Sequence, residues 1–205
     1  MTKIKICGMR RPEDIQYVNA CKPDYVGFIC FPKSKRYVTP EEIGNLGSRL
    51  DPSIQKVGVF VNETVEAIRA LVMDGAIDLV QLHGDENAAY IEKLRRLIGD
   101  HPIIKAVRVA TAEDMAHVNE IPADYLLFDA FSKEYGGSGH TFDWSLIGEI
   151  KKPFFLAGGI GPSNVAEAVE ALHPMAVDLS SAVEGPDGYK DRDKVTEMVE
   201  LVHSL

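Results

Sequence analysis

The side chains of this sequence that could do chemistry fall at the ends of short apolar runs. Cys7 closes the run Lys3-Ile4-Lys5-Ile6-Cys7 and is followed at once by Gly8, where the backbone can turn. A thiol in that position can act on a substrate, or it can be a small apolar filler, since free cysteine is among the most buried residue types. His83 closes a second run and Asp129 a third, the latter leaving a carboxylate at its tip. Two more runs lead into Leu156-Ala157-Gly158-Gly159-Ile160-Gly161 and into Asp178-Leu179-Ser180-Ser181. Glycine lets backbone N–H groups approach an anion, so Gly158, Gly159, Ser180 and Ser181 are candidates for holding a phosphate. Either element alone would be weak, because Gly-Gly before a proline-led helix is also an ordinary turn.

Arg36, with Lys33 and Lys35, makes a basic cluster. Such a cluster is commonly a solvated charge run, yet arginine also offers the planar fork that binds a carboxylate through two hydrogen bonds. Gly137 and Gly139 belong to a glycine-rich loop, 136–141, that is either a plain connection or a segment able to close over a site. His83 is better suited to a hydrogen-bonding wall than to catalysis. The six histidines show neither HExxH nor HxH spacing, and no His/Cys set has zinc spacing, so no metal site is expected.

Positioning these groups requires strands that end where they lie. Period-two alternation predicts strands at 3–7, 24–29, 55–61, 78–83, 103–107, 124–129, 153–157 and 175–180. Between them fall helical stretches: 12–20, one starting at Thr39-Pro40-Glu41-Glu42, 64–73, 85–98, a short one at 112–119, 142–150, 162–172 and 191–203. Thr39 is a suitable N-cap, Pro40 fits the first helical position, and the two carboxylates suit the positive end of the dipole. Strands alternating with helices imply a parallel sheet with right-handed crossovers, and eight such units are the number that closes a (βα)8 barrel. The chain, at 205 residues, is short against the roughly 250 typical of that fold, so some helices and loops must be trimmed. An open doubly wound sheet is the competitor. No Pro/Gly/Ser-rich linker or charge run divides the series, so 1–205 reads as one domain.

In a barrel of this kind the site lies at the C-terminal ends of the strands, where Cys7, His83 and Asp129 and the two small-residue loops would gather. Parity adds a detail: Lys5 shares a face with Cys7, and Asp178 with Ser180. Strands one and eight are neighbours in a closed barrel, so a Lys5–Asp178 ion pair is one arrangement and two solvated charges the other.

Composition bounds the partners. The chain is 45% hydrophobic and 26% charged, as in ordinary globular proteins. A net charge of −9 disfavours wholesale nucleic-acid binding, which needs a basic surface. No run nears the roughly 18 apolar residues that span a bilayer, so no membrane association is expected. Three cysteines without a leader-like segment point to a reducing cytoplasm.

Seven motifs in fixed order carry a family resemblance: KICGMR at 5–10, FPKSKRYV at 31–38, QLHGDE at 81–86, LFDAF at 127–131, GGSGHTFDW at 136–144, LAGGI at 156–160 and DLSSAVE at 178–184. Across essentially its whole length the chain resembles the phosphoribosylanthranilate isomerases of tryptophan biosynthesis. The resemblance implies a (βα)8 barrel without metal or organic cofactor, a phosphorylated small-molecule substrate, and an Amadori rearrangement of an aminoaldose to an aminoketose. It implies no particular oligomeric state. It also implies a cysteine general base at Cys7, an aspartic general acid at Asp129 and a carboxylate-binding Arg36. A thiol base would need a nearby cation to bring it towards the working pH. The acid would need an apolar setting or the substrate's own charge to keep its proton. Three positions depart from the family pattern: Lys35 replaces a proline, Ala182 a glycine and Ser138 a threonine. If position 182 required a positive φ, alanine would be strained there.

The nearest enzyme alternative is another phosphosugar isomerase or epimerase, including one for the related histidine-pathway aminoaldose; barrels for that substrate tend to pair two aspartates. A catalytically silent, metabolite-binding barrel would be expected to lack Cys7 or Asp129.

Overall fold

The structure, a computed structural model, describes residues 1–130 and 143–205. Eight parallel strands pair in chain order and close, β8 returning to β1. They are β1 Lys3–Cys7, β2 Tyr25–Ile29, β3 Gln55–Phe60, β4 Leu79–Leu82, β5 Ile103–Val109, β6 Tyr125–Ala130, β7 Phe154–Leu156 and β8 Ala176–Leu179. Closure excludes the open doubly wound sheet. Around the strands lie α1 Pro12–Cys21, α2 Pro40–Gly47, α3 Val65–Met73, α4 Ala88–Ile98, α5 Val165–Leu172 and α6 Arg192–Ser204.

Local chemistry sets the helix starts. Thr39 Oγ1 accepts from Glu42 N at 3.2 Å while Glu42 Oε2 accepts from Thr39 N at 2.7 Å, a reciprocal cap that satisfies two otherwise orphaned donors. Asn87 and Asp191 cap α4 and α6 in the same spirit, so α4 begins after Asn87 instead of at Asp85.

Alternation along the strands sorts side chains into two cores. Ile4 and Ile6 face the helix layer with Val18 and Val199, while Cys7, Val57, Leu79, Ile104 and Leu127 fill the barrel interior. Tyr25 and Tyr125 pack edge-on against Phe155, at ring separations of 5.4 and 6.0 Å. This aromatic layer plugs the barrel and leaves the polar groups above it at the strand C-termini.

Two expected helices do not form among the described residues. The segment expected at 112–119 forms two 3-10 turns, Ala112–Met115 and Val118–Glu120, in which only Val118 is buried. Without an apolar stripe to bury, and with the Asp114 carboxylate taken up by the Ala110 and Thr111 N–H groups, a longer helix has nothing to stabilise it. In the described part of 142–150 there is one turn, Trp144–Leu146. Gly148 lies in its path, and Asn119 ties the chain down by donating to Glu149 O at 3.0 Å and accepting from Lys151 N at 2.9 Å. These trimmed units account for a barrel of this length.

Candidate active site

The C-terminal mouth of the barrel holds a cavity of about 260 Å³ lined by Cys7, Ser34, Arg36, Gln81, His83, Asp129, Gly158, Gly159, Asp178, Ser180 and Ser181, among others. Residues at the ends of β1, β2, β4, β6 and β8 and in the loop after β7 thus meet in one space, although no two of those strands' tips are close in sequence. Gly137 and Gly139 lie outside the described residues.

Cys7 sits at the end of β1 in register with Gly27 of β2. A Cβ at Gly27 would stand 2.6 Å from Cys7 Sγ and 3.2 Å from Lys5 Nζ, so the missing side chain is the space that the thiol and the ammonium occupy. Lys5, fully buried, donates to both oxygens of Asp178 at 2.9 and 2.8 Å; β1 and β8 place the two residues directly opposite each other. Of the two arrangements allowed by parity, the ion pair is the one that forms. The Cys7 thiol does not come down as a single nearby cation would suggest. Burial pushes it up, Lys5 pulls against that, Asp178 adds to the rise, and Lys190 pulls down more weakly.

Asp129 projects from β6 between two neighbours. His83 Nε2 stands 3.3 Å from Oδ2, and the other ring nitrogen, Nδ1, is 2.9 Å from Gln81 Nε2. On the other side Gly158, at φ +79°, leaves room for the carboxylate: a Cβ there would lie 3.0 Å from Asp129 Oδ1 and 2.5 Å from Ala130 N. Behind His83, Glu86 accepts from Gly84 N, Asn62 N and Lys105 Nζ at 2.9, 2.8 and 3.0 Å, fixing the loop after β4.

The loop after β2 brings Arg36 over the mouth. It is pinned by Ser34 N to Phe31 O (2.9 Å), Tyr37 N to Ser34 O (3.1 Å) and Arg36 N to Ser34 Oγ (3.1 Å), while Lys35 O accepts from Arg10 Nη1 at 2.9 Å. These bonds supply the stiffness that a proline at position 35 would otherwise give. The guanidinium is buried, with Nε and Nη2 donating to Glu184 at 2.6 and 2.9 Å. Lys190 Nζ donates to the same carboxylate at 3.0 Å and to Ser180 O at 2.9 Å. Burial pushes the Glu184 carboxyl up, but Arg36 and Lys190 outweigh it and hold the group below its ordinary range. Lys190 itself is pulled down by burial against the attraction of Glu184. With its three donors within 3.0 Å, the carboxylate is ionised.

Gly158 and Gly159 have φ of +79° and +68°, backbone that L side chains rarely adopt. Asn164 braces this loop, accepting from Gly161 N at 2.9 Å and donating to Gly159 O at 3.0 Å, a task that no motif or spacing in the sequence marks. After β8, Ser181–Val183 form a 3-10 turn whose opening N–H groups have no partner within the turn. Ala182 is not among the residues with positive φ, so alanine is unstrained there. Ser180 Oγ donates to Cys7 O at 3.2 Å, tying the tip of β8 to that of β1. Among the described residues no group of three or more His, Cys, Asp or Glu could hold a metal ion, and no helix is long and apolar enough to cross a membrane.

A closed parallel barrel whose cavity at the strand C-termini gathers a thiol, an imidazole and carboxylates defines a (βα)8-barrel enzyme. More narrowly, the chain belongs to the N-(5′-phosphoribosyl)anthranilate (PRA) isomerase family, whose model matches residues 4–201. It is 49% identical, over the whole of both chains, to the N-(5′-phosphoribosyl)anthranilate isomerase of Endomicrobium trichonymphae. Among solved structures it is similar to the phosphoribosyl anthranilate isomerase of Thermotoga maritima, at 39% identity and a TM-score of 0.88 with full coverage of both chains. A further phosphoribosyl anthranilate isomerase, 33% identical with a TM-score of 0.83 over both full chains, was solved with reduced 1-(o-carboxyphenylamino)-1-deoxyribulose 5-phosphate.

Proposed function

We propose that this chain isomerises N-(5′-phosphoribosyl)anthranilate to 1-(2-carboxyphenylamino)-1-deoxyribulose 5-phosphate in tryptophan biosynthesis, with Cys7 as general base and Asp129 as general acid. Asp129 gives its proton to the ribose ring oxygen, and the ring opens to an iminium between C1 and the anthranilate nitrogen. The Cys7 thiolate then removes the proton from C2, and the electron pair of that C–H bond neutralises the iminium. The resulting enolamine tautomerises to the ketone. C1 and C2 exchange oxidation level within one molecule, so the chemistry calls for no external electron acceptor and the reading includes neither cofactor nor metal.

The observation that carries this reading is that Cys7 and Asp129 line one cavity of a chain belonging to this family over nearly its full length. Around them the remaining groups find consistent tasks. The glycine loop at Gly158 and Gly159 and the helical turn opening at Ser180 and Ser181 offer N–H groups to the phosphate. Arg36 Nη1 lies outside the pair with Glu184 and is the donor left for the anthranilate carboxylate. His83 holds the Asp129 carboxyl in position. A catalytic thiol works only in its reduced form, which fits a cytoplasmic enzyme.

The test is an assay of the purified protein with N-(5′-phosphoribosyl)anthranilate and, separately, with the histidine-pathway aminoaldose, followed by loss of anthranilate fluorescence for the first and by product analysis for the second. The reading predicts turnover of the anthranilate compound in strong preference to the other. Preference for the histidine-pathway compound would overturn it.

A further inference from the structure

Lys5 has no part in the mechanism above, yet it is a fully buried cation on the strand that carries the base. Burying an ammonium is costly unless it is paired, and a chain needing only an apolar filler in the barrel interior would use leucine or isoleucine. Its neighbours indicate why it is retained. Sγ of Cys7 and Nζ of Lys5 lie 2.6 and 3.2 Å from the point that a Cβ of Gly27 would occupy, so they are separated by no more than the sum of those lengths. Asp178, opposite Lys5 in the β1–β8 register, holds the ammonium with two bonds.

We propose that Lys5 is a positioning residue for Cys7: its ammonium, anchored on Asp178 and given room by Gly27, stabilises the thiolate that acts as base. The proposal rests on the reading of Cys7 as the base and names the cation that this reading requires. Other charged groups face the thiol as well. Lys190 and Arg36 reach towards it from the loops after β8 and β2, and Asp129 and His83 face it across the cavity. On the β2 side the neighbour is Cys30, a thiol that burial pushes to about 12 and that is therefore uncharged. Lys5 exerts the largest pull on the thiol, opposing burial, and Asp178 pushes the other way. The pair thus acts on Cys7 with opposite signs, which separates an electrostatic role from mere support of the barrel.

The experiment uses the full-length protein with Cys21→Ser and Cys30→Ser, so that iodoacetamide, small enough for the cavity, reports on Cys7 alone. Alkylation rate is measured against pH, and kcat/KM for N-(5′-phosphoribosyl)anthranilate is measured over the same range. Removing an opposite charge at this range moves a titration by about 1 to 3 units. Lys5→Met should therefore raise the alkylation midpoint and slow alkylation at fixed pH by about tenfold or more. Asp178→Asn should lower the midpoint, because the ammonium then acts on the thiolate alone. If Lys5→Met fails to fold, Lys5→Met/Asp178→Asn leaves no unpaired buried charge, and its midpoint should lie above that of Asp178→Asn. Unchanged midpoints, or shifts of the same sign in Lys5→Met and Asp178→Asn, would overturn the proposal. Shifts of opposite sign in alkylation that the kcat/KM profile does not follow would uphold Lys5 as the thiolate's cation and instead remove Cys7 as the base.

Discussion

Arg36 and Glu184, 148 positions apart in the chain, meet through two buried hydrogen bonds of 2.6 and 2.9 Å. The pairing fixes the plane of the guanidinium at the rim of the cavity, and Lys190 on the same carboxylate leaves the three-residue cluster with one net positive charge. In a chain of net charge −9, this is a local cation able to hold a substrate carboxylate. A charge-assisted hydrogen bond is worth about 1.5 to 3 kcal/mol, or roughly 10- to 150-fold in affinity. Arg36→Met should weaken a product analogue bearing the carboxylate by that factor and barely affect the same analogue without it. Titration calorimetry with both compounds decides the matter; equal weakening would mean that Arg36 does not read the carboxylate.

Gly27 makes a second point of leverage. Alanine there would put a methyl group 2.6 Å from the Cys7 sulfur and 3.1 Å from its Cα, so the strand pair must shift or the thiol must turn away. Gly27→Ala is expected to lower kcat by tenfold or more on the order of one misplaced general base, with a smaller effect on KM. Steady-state kinetics at saturating substrate measure this, and a KM effect alone would place the damage in binding.

Much of this site was legible in the sequence, and the reasons are physical. Period-two alternation together with eight strand-helix units determines which side chains enter the barrel and at which end, and that alone directs Cys7, Asp129, Gly158, Gly159, Ser180 and Ser181 to one mouth. Parity of Lys5 with Cys7 and of Asp178 with Ser180 allowed the buried ion pair. Register was not legible: that Cys7 faces Gly27 follows from how β1 and β2 align, which neither strand's own pattern states. Nor was the partner of Arg36, since Glu184 comes from a distant loop with no period linking the two. The helix expected at 142–150 does not form in its described part, where Gly148 disfavours it and Asn119, from a distant segment, anchors the chain in another path.

For the phosphate, Ser181→Asp introduces a carboxylate at the opening of the turn after β8, beside the glycine loop. Steric block and like-charge repulsion should weaken the substrate and inorganic phosphate together. Competition by inorganic phosphate against turnover reads this directly, and an unchanged inhibition constant would locate the anion elsewhere.

Cys21 and Cys30 provide the contrast with Cys7. Neither lines the cavity, and burial pushes their thiols to about 11 and about 12, so both remain protonated near neutral pH. Cys21→Ser and Cys30→Ser should each leave kcat/KM close to that of the parent. A large loss in either would show a structural dependence on that thiol.

The central claim is that one thiol and one carboxyl carry the proton transfers, and turnover of N-(5′-phosphoribosyl)anthranilate by Cys7→Ala and Asp129→Ala tests it most directly. Both residues lie at strand ends and line the cavity, and truncation to alanine removes few packed atoms, so both variants should fold with the parent's circular dichroism. A general acid or base contributes about 10² to 10⁴ in rate, and kcat in each variant should fall by that factor while substrate affinity is largely kept. Near-normal kcat in either folded variant would contradict the account.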